Sequence, residues 1–283
     1  MSSAARKIET AHSSLAVTKL SPVIGAEVGG IDLRDPLSPE LRDELRRLLL
    51  EHKVLFFRDQ DIDNEQHLAF ARNFGKLYDH PSGGLEKHRT IQPIDSREFA
   101  KRGYSVRETH WHTDTSWRID PSFGAVLRAV NIPDVGGDTI WANGGAILRG
   151  LPDDLREKID SLYVIHDFQS ALKAAGERYP LVAHPIIRTH PETGEDIFWV
   201  NWSLKPRIVD LDRAESDALL ARLYDEVKRP EYQVRFRWRK GSVAFWDNRA
   251  VLHYAVRDYG DFPRVMERVL IASDDIPYRV RKE

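Results

Sequence analysis

Helix and strand signals are unevenly distributed along this chain, and that distribution limits its fold more than any single motif. Helical signatures gather near the start. Ser38-Pro39 offers an N-cap and a first-turn proline, and Leu41, Leu45, Leu48 and Leu49 follow as one apolar stripe. Asp63 with Gln66 makes a capping box for a second helix, which Gly75 is expected to end. Two later helices are expected, one carrying Leu155, Ile159 and Leu162. The other, opened by an Asp212/Glu215 box, carries Leu219, Leu220, Leu223 and Val227. The remaining patterns are short strands: Val54 to Phe57, Gly124 to Val130, Thr139 to Ala142, Ile197 to Asn201, Ser242 to Trp246 and Arg268 to Ala272. Val234-Arg235-Phe236-Arg237-Trp238-Arg239 alternates strictly, with Val234, Phe236 and Trp238 facing inward. Helices and strands do not alternate as βαβ units would. The pattern favours an antiparallel β core dressed with helices, such as a jelly roll. Periodicity itself reaches only mixed, mostly antiparallel β.

At 283 residues the chain suffices for one large domain or two small ones. A net charge of −2 gives no bulk attraction to nucleic acid. Met1 to Ser14 is polar and no apolar run approaches a membrane span, so neither nucleic acid nor membrane is an expected partner, and the expected location is the cytoplasm. The expected organisation is a flexible tail over residues 1–14 and a single jelly-roll domain over 15–283. Cysteine is absent, which excludes disulfides and thiolate metal sites and leaves histidine and carboxylate as the strong ligands.

Those ligands have one suggestive spacing. In an extended strand, positions i and i+2 point to the same side, so His112-Thr113-Asp114 aims an imidazole and a carboxylate at one point. Two such groups plus a distant histidine form the facial triad that binds non-haem Fe(II) with positions left open. Alone the triplet is weak, because 11 histidines and 44 acidic residues make it common by chance. His253 lies 141 residues later, where an apolar strand, a polar turn and a second strand follow one another. Taken alone, it reads first as a satisfied core or turn histidine. Arg264 and Arg268 come next. An arginine inside an apolar barrel is costly unless an anion neutralises it, and a guanidinium binds a carboxylate through two parallel hydrogen bonds, to which a threonine hydroxyl can add a third. The blander alternative puts both arginines on an outer face, paired with Glu267 or Asp258.

Taken together, His112-Thr113-Asp114, Gly136-Gly137-Asp138-Thr139, Trp246-Asp247-Asn248-Arg249, His253, Arg264 and Arg268 stand in an order and spacing that resembles the taurine dioxygenase family of Fe(II)- and 2-oxoglutarate-dependent oxygenases. That family includes alkylsulfatases and aryloxyalkanoate dioxygenases. The similarity runs nearly end to end, through Ile24 to Leu33, Val54 to Gln60, Arg188-Thr189-His190-Pro191 and Pro230 to Arg235. It implies an α+β, mainly antiparallel fold with a double-stranded β-helix (jelly roll) core flanked by helices, often assembled as a homo-oligomer, dimer or tetramer.

The resemblance also implies roles. His112, Asp114 and His253 would be the iron ligands, and Thr139 and Arg264 would hold the distal carboxylate of 2-oxoglutarate. Arg268 would lie near the metal, against co-substrate or an anionic substrate group. His80, in Tyr78-Asp79-His80-Pro81, matches a histidine that lines the substrate pocket. With Fe(II), 2-oxoglutarate and O2, the expected reaction hydroxylates a small organic anion, a sulfonate, sulfate ester or carboxylate, and releases succinate and CO2. Asp114 argues against halogenation, since related halogenases lack that carboxylate.

The substrate side departs from the taurine enzyme. Glu108 stands where that enzyme has asparagine, Gly83 replaces a tyrosine, and the loop Gln169-Ser170-Ala171-Leu172 differs. A larger amino-acid-derived or natural-product substrate is therefore the alternative, with a non-catalytic jelly-roll binding protein or a zinc hydrolase more remote. Ser96 to Glu108, with Arg97, Lys101, Arg102 and Arg107, is expected to be a lid, or merely a solvated charged face. Trp199 and Trp202 would serve an interface or a core.

Overall fold

A computed structural model describes residues 15–81, 83–101 and 110–280; the expected tail over residues 1–14, Arg102, Arg107 and Glu108 lie outside the described residues. Strands β1 (Ala16–Lys19) and β2 (Ala26–Gly29) form an antiparallel hairpin. Helix α1 (Pro39–His52) begins where expected: the Ser38 side chain accepts from the Leu41 N–H, and Leu45, Leu48 and Leu49 are buried. The fully buried β3 (Val54–Phe57) follows and pairs parallel with β2. Helix α2 (Asn64–Arg72) carries both arms of the Asp63/Gln66 capping box. It stops before Gly75, whose own role is close approach: a Cβ there would lie 2.9 Å from Ile271 Cγ2. Next come β4 (Leu77–Tyr78), β5 (Ile91–Asp95) and α3 (Ser96–Lys101).

Strand β6 (Gly124–Asn131) is followed by β7 (Thr139–Asn143), α4 (Gly144–Gly150), α5 (Asp153–Ile159) and β8 (Tyr163–Ile165). After α6 (Gln169–Ala174) come β9 (Ala183–Pro185), β10 (Ile187–Thr189), β11 (Asp196–Phe198), β12 (Arg207–Ile208) and α7 (Arg213–Val227). The chain then runs through β13 (Gln233–Phe236), β14 (Val243–Asp247), β15 (Val251–Ala255) and β16 (Val265–Ile271). Helices α4 and α6 were not expected. Two glycines open α4, but Asn143 caps both Gly145 and Ala146 N–H groups and starts it regardless. Helix α5 ends at Ile159, short of Leu162, and β16 begins three residues before Arg268.

The large sheet has the order β1-β2-β3-β14-β6-β16-β4, with β5 also on β16, and a smaller one has the order β13-β7-β15. Every pairing in both is antiparallel except β2–β3. The two sheets share one core, in which Val54, Phe56, Leu127 and Trp246 of the large sheet meet Trp141, Val234, Phe236 and Val251 of the small one. Phe56 stacks on Phe236 at 4.0 Å and meets Trp141 edge-on at 5.3 Å. Truncating such a ring to alanine costs about 3–5 kcal/mol. The other face of the large sheet is covered by α1 and α2 around Leu45, Leu49, Leu68 and Phe70. The strict alternation after Val234 holds its inward face: Val234, Phe236 and Trp238 are buried while Arg235 and Arg237 are exposed.

Trp199 is fully buried and belongs to the core, whereas Trp202 is half-buried and packs edge-on against Tyr224 at 5.1 Å. Exposed Arg97 pairs with the half-buried Asp95, as a solvated face would have it at that one position. Among the described residues no helix is long and apolar enough to cross a membrane.

Candidate metal centre and adjoining cavity

His112 and His253 are locked together through their backbones. The His112 N–H donates to the His253 carbonyl at 3.0 Å, and the His253 N–H returns to the His112 carbonyl at 2.7 Å. This bridge is isolated; the expected strand through His112-Thr113-Asp114 gives way to a turn at Asp114. Other groups hold the turn. Asn248 Oδ1 accepts from the Asp114 N–H at 3.3 Å, and its carbonyl accepts from Thr113 Oγ1 at 2.8 Å. Asn201 Nδ2 donates to the Thr113 carbonyl at 2.8 Å. Thr115 adopts φ +53, a conformation rare for a β-branched residue, directly after the carboxylate.

The outcome is convergence. One donor atom from each of His112, Asp114 and His253 lies within 4.8 Å of the others. His112 Nδ1 faces the His110 carbonyl at 2.9 Å, so it carries the proton and Nε2 keeps its lone pair. Burial pushes the His112 imidazole below its ordinary pKa. It pushes His253 well below, helped by His112 and Arg268. Neutral rings are the form that ligates a cation. Among the described residues Asp114 Oδ2 is buried with no hydrogen-bond partner, an acceptor that a cation would satisfy. Two imidazoles and a carboxylate with that orphaned oxygen fit a divalent iron site.

His112 and His253 line a cavity of about 690 Å³, which Thr139, Arg264, Arg268 and His80 also line. Thr139 is on β7, two residues from Trp141, which is directly opposite His253 on β15. Its Oγ1 accepts from Trp238 Nε1 at 3.0 Å, which leaves the hydroxyl proton to be donated elsewhere. Arg264 is 6% exposed, and Nε donates to the Gly137 carbonyl at 3.0 Å. Burial pushes its pKa down. The outer-face alternative for the arginines is overturned: Glu267 pairs with Arg128, and Asp258 accepts from the Gly137 N–H and from Arg235. Arg268 donates through Nη1 to Asp114 Oδ1 and through Nε and Nη2 to Gln92 Oε1, at 3.2 and 2.6 Å. Burial and the Arg268 charge push the His80 imidazole down to about 4.

Gln92, Asn248 and Asn201 are the residues that sequence reasoning missed. Asn248 stood inside a motif quoted without a role, and nothing marked Gln92 beyond a polar side chain in a short apolar run. Phe168, Leu127 and Trp246 give the cavity apolar walls, and Phe168 stacks on Trp117 at 5.1 Å.

A family model described as taurine catabolism dioxygenase TauD, TfdA family, matches residues 16–270. The chain is 35% identical over 294 residues to an alpha-ketoglutarate-dependent sulfate ester dioxygenase of Pseudomonas putida, covering 97% of this chain and 95% of that protein. A taurine dioxygenase structure from Burkholderia xenovorans superposes with a TM-score of 0.81 at 38% identity, covering 93% of this chain and 92% of that one. A structure of AAD-2 in complex with Mn(II) and N-oxalylglycine superposes with a TM-score of 0.78 at 26% identity, over 93% and 99% of the two chains.

Proposed function

Because the chain belongs to the taurine catabolism dioxygenase TauD, TfdA family, whose reaction uses Fe(II), 2-oxoglutarate and O2, we propose that His112, Asp114 and His253 hold its iron and that the substrate is a small organic anion. Sulfate esters lead the candidates, ahead of sulfonates and carboxylates. The observation that carries this reading is the meeting of the three donor atoms at the cavity shared by Thr139, Arg264 and Arg268.

When bound, iron with 2-oxoglutarate and O2 supplies the oxidising power that converts a substrate C–H to C–OH, releasing succinate and CO2. The chain's part is placement. Arg264 offers a buried guanidinium and Thr139 a hydroxyl proton to the distal carboxylate of 2-oxoglutarate. Gly137 supports Arg264 by accepting its Nε–H. Arg268 and His80 supply positive charge and a donor to the anionic end of the substrate, or Arg268 to the co-substrate. The apolar walls take the organic part and exclude water. Glu108, expected to border the substrate, lies outside the described residues.

The larger-substrate alternative draws support from the cavity's size and from Gly83, where an added Cβ would meet nothing within 4 Å. A double-stranded β-helix as a single domain over 15–283, assembled as a homo-oligomer in the cytoplasm, completes the proposal; the shared core of the two sheets supports the first part. The test is succinate release across panels of sulfate esters, sulfonates, carboxylates and amino acids. Turnover requiring Fe(II), O2 and 2-oxoglutarate together, and strongest on one anion class, is expected. Turnover retained by His112→Ala would refute the iron assignment, and succinate formation dependent only on amino acids would refute the small-anion one.

A further inference from the structure

We propose that Gln92 is a positioning residue of this site, whose carboxamide fixes the Arg268 guanidinium and sets the tautomer of His80. Strand β5 pairs with β16 so that Gln92 lies directly opposite Arg268, and directly opposed side chains on one face of a sheet are near neighbours. A guanidinium has only donors, so the amide atom that faces it is the oxygen. That oxygen accepts from both Nε and Nη2, at 3.2 and 2.6 Å, and turns Nη1 toward Asp114. The other end of the amide is therefore NH2, which can only donate. It faces His80 Nδ1 at 3.4 Å.

The direction of every link follows. His80 Nδ1 must accept, so the single proton of the neutral ring sits on Nε2, and the cavity wall presents an N–H donor. Gln92 also restrains Arg268 without cancelling its charge. A carboxylate in the same place would restrain it and neutralise it. The inference rests on the proposed function only for its purpose: an organic anion would meet two donors whose directions are already set.

The test is 15N NMR of histidine-labelled, zinc-substituted full chain with 2-oxoglutarate bound, the His80 signals being assigned by their loss in His80→Gln. In the wild type, Nε2 is expected as the protonated nitrogen and Nδ1 as the bare acceptor. Gln92→Glu, which supplies acceptors only, should move the proton to Nδ1 or protonate both nitrogens; Gln92→Leu should give a mixture. The Michaelis constant for the organic substrate should rise about tenfold in Gln92→Leu, as loss of one hydrogen-bonding group implies, with kcat within about threefold. A protonated Nδ1 in the wild type overturns the proposal. So do His80 signals unchanged in whichever variant folds. The spectra contain no organic substrate, so they test Gln92 alone. Failure of the proposed function appears separately, as no anion-dependent succinate from the wild type.

Discussion

Arg268 Nη1 donates to one oxygen of Asp114 while the other, Oδ2, is buried without a partner among the described residues. The oxygen that meets Arg268 also lies 3.8 Å from His253 Nε2. With side chains 12% and 4% exposed, the two charges compensate each other where water does little. In metal-free protein, Asp114→Ala should therefore strand Arg268 and cost roughly 3 kcal/mol. His112→Ala removes no charge partner and should cost about 1 kcal/mol. Urea unfolding of the two metal-free variants checks this, and equal losses would show that the pair does not stabilise the fold.

Metal binding should separate the same residues differently. His112→Ala and His253→Ala should each weaken Mn(II) affinity by more than about 100-fold, read by calorimetry. Arg264→Ala should leave that affinity within about threefold. Similar Mn(II) affinity in all three proteins would contradict the ligand set.

Gly137 offers a test of the co-substrate anchor by geometry alone. It adopts φ +71, and an added Cβ would lie 3.0 Å from Arg264 Cδ and 3.1 Å from Nε. Gly137→Ala should displace the guanidinium and weaken 2-oxoglutarate binding about tenfold. Arg264→Ala should weaken it about 30-fold or more, as for a buried charge-assisted contact. Titration of Mn(II)-loaded protein measures both. A constant within twofold of the wild type in either variant would exclude its residue from the anchor.

Acid should unfold this protein through buried histidines before its carboxylates matter. Burial, with the Arg128 charge nearby, pushes His67 to about 3, and burial likewise pushes His166 to about 3 and His184 to about 4. Below the ordinary histidine value of 6.5, the unfolded chain binds protons that the folded chain refuses. Stability therefore falls with pH, by up to about 1.4 kcal/mol per unit for each ring, until the folded rings protonate near 3 to 4. Asp247 acts lower still: burial favours its neutral form, but Arg249 and His190 prevail and hold it below the usual carboxylate range. Its contribution is lost only as pH drops beneath that range. The melting temperature should decline from pH 6.5 to 4.5, less steeply in His67→Gln; a flat profile would refute this.

Legibility in the sequence depended on how local each feature is. Caps and apolar stripes lie within one helix, so Ser38, the Asp63/Gln66 box and the leucines of α1 and α7 were readable directly. Alternation did the same for Val234 to Trp238. The meeting of His112 with His253 was not local; resemblance suggested it, and the backbone bridge between them supplies the physical reason. Gln92 was invisible because its partner, Arg268, becomes its neighbour only through the register of β5 on β16. Helix α4 was missed because glycine counts against a helix interior, whereas the Asn143 cap and packing decide the outcome here.

The backbone bridge between His112 and His253 also imposes an order in time. Half of it emerges from the ribosome early, and the other half only when synthesis has passed residue 253. Arg264 and Arg268 follow later still. No segment ending before residue 253 can bring the three proposed ligands together, because His112 and Asp114 await the strand that carries His253. On the proposed ligand set, assembly of the iron site therefore waits until β15 has been made and has paired with the His112 segment.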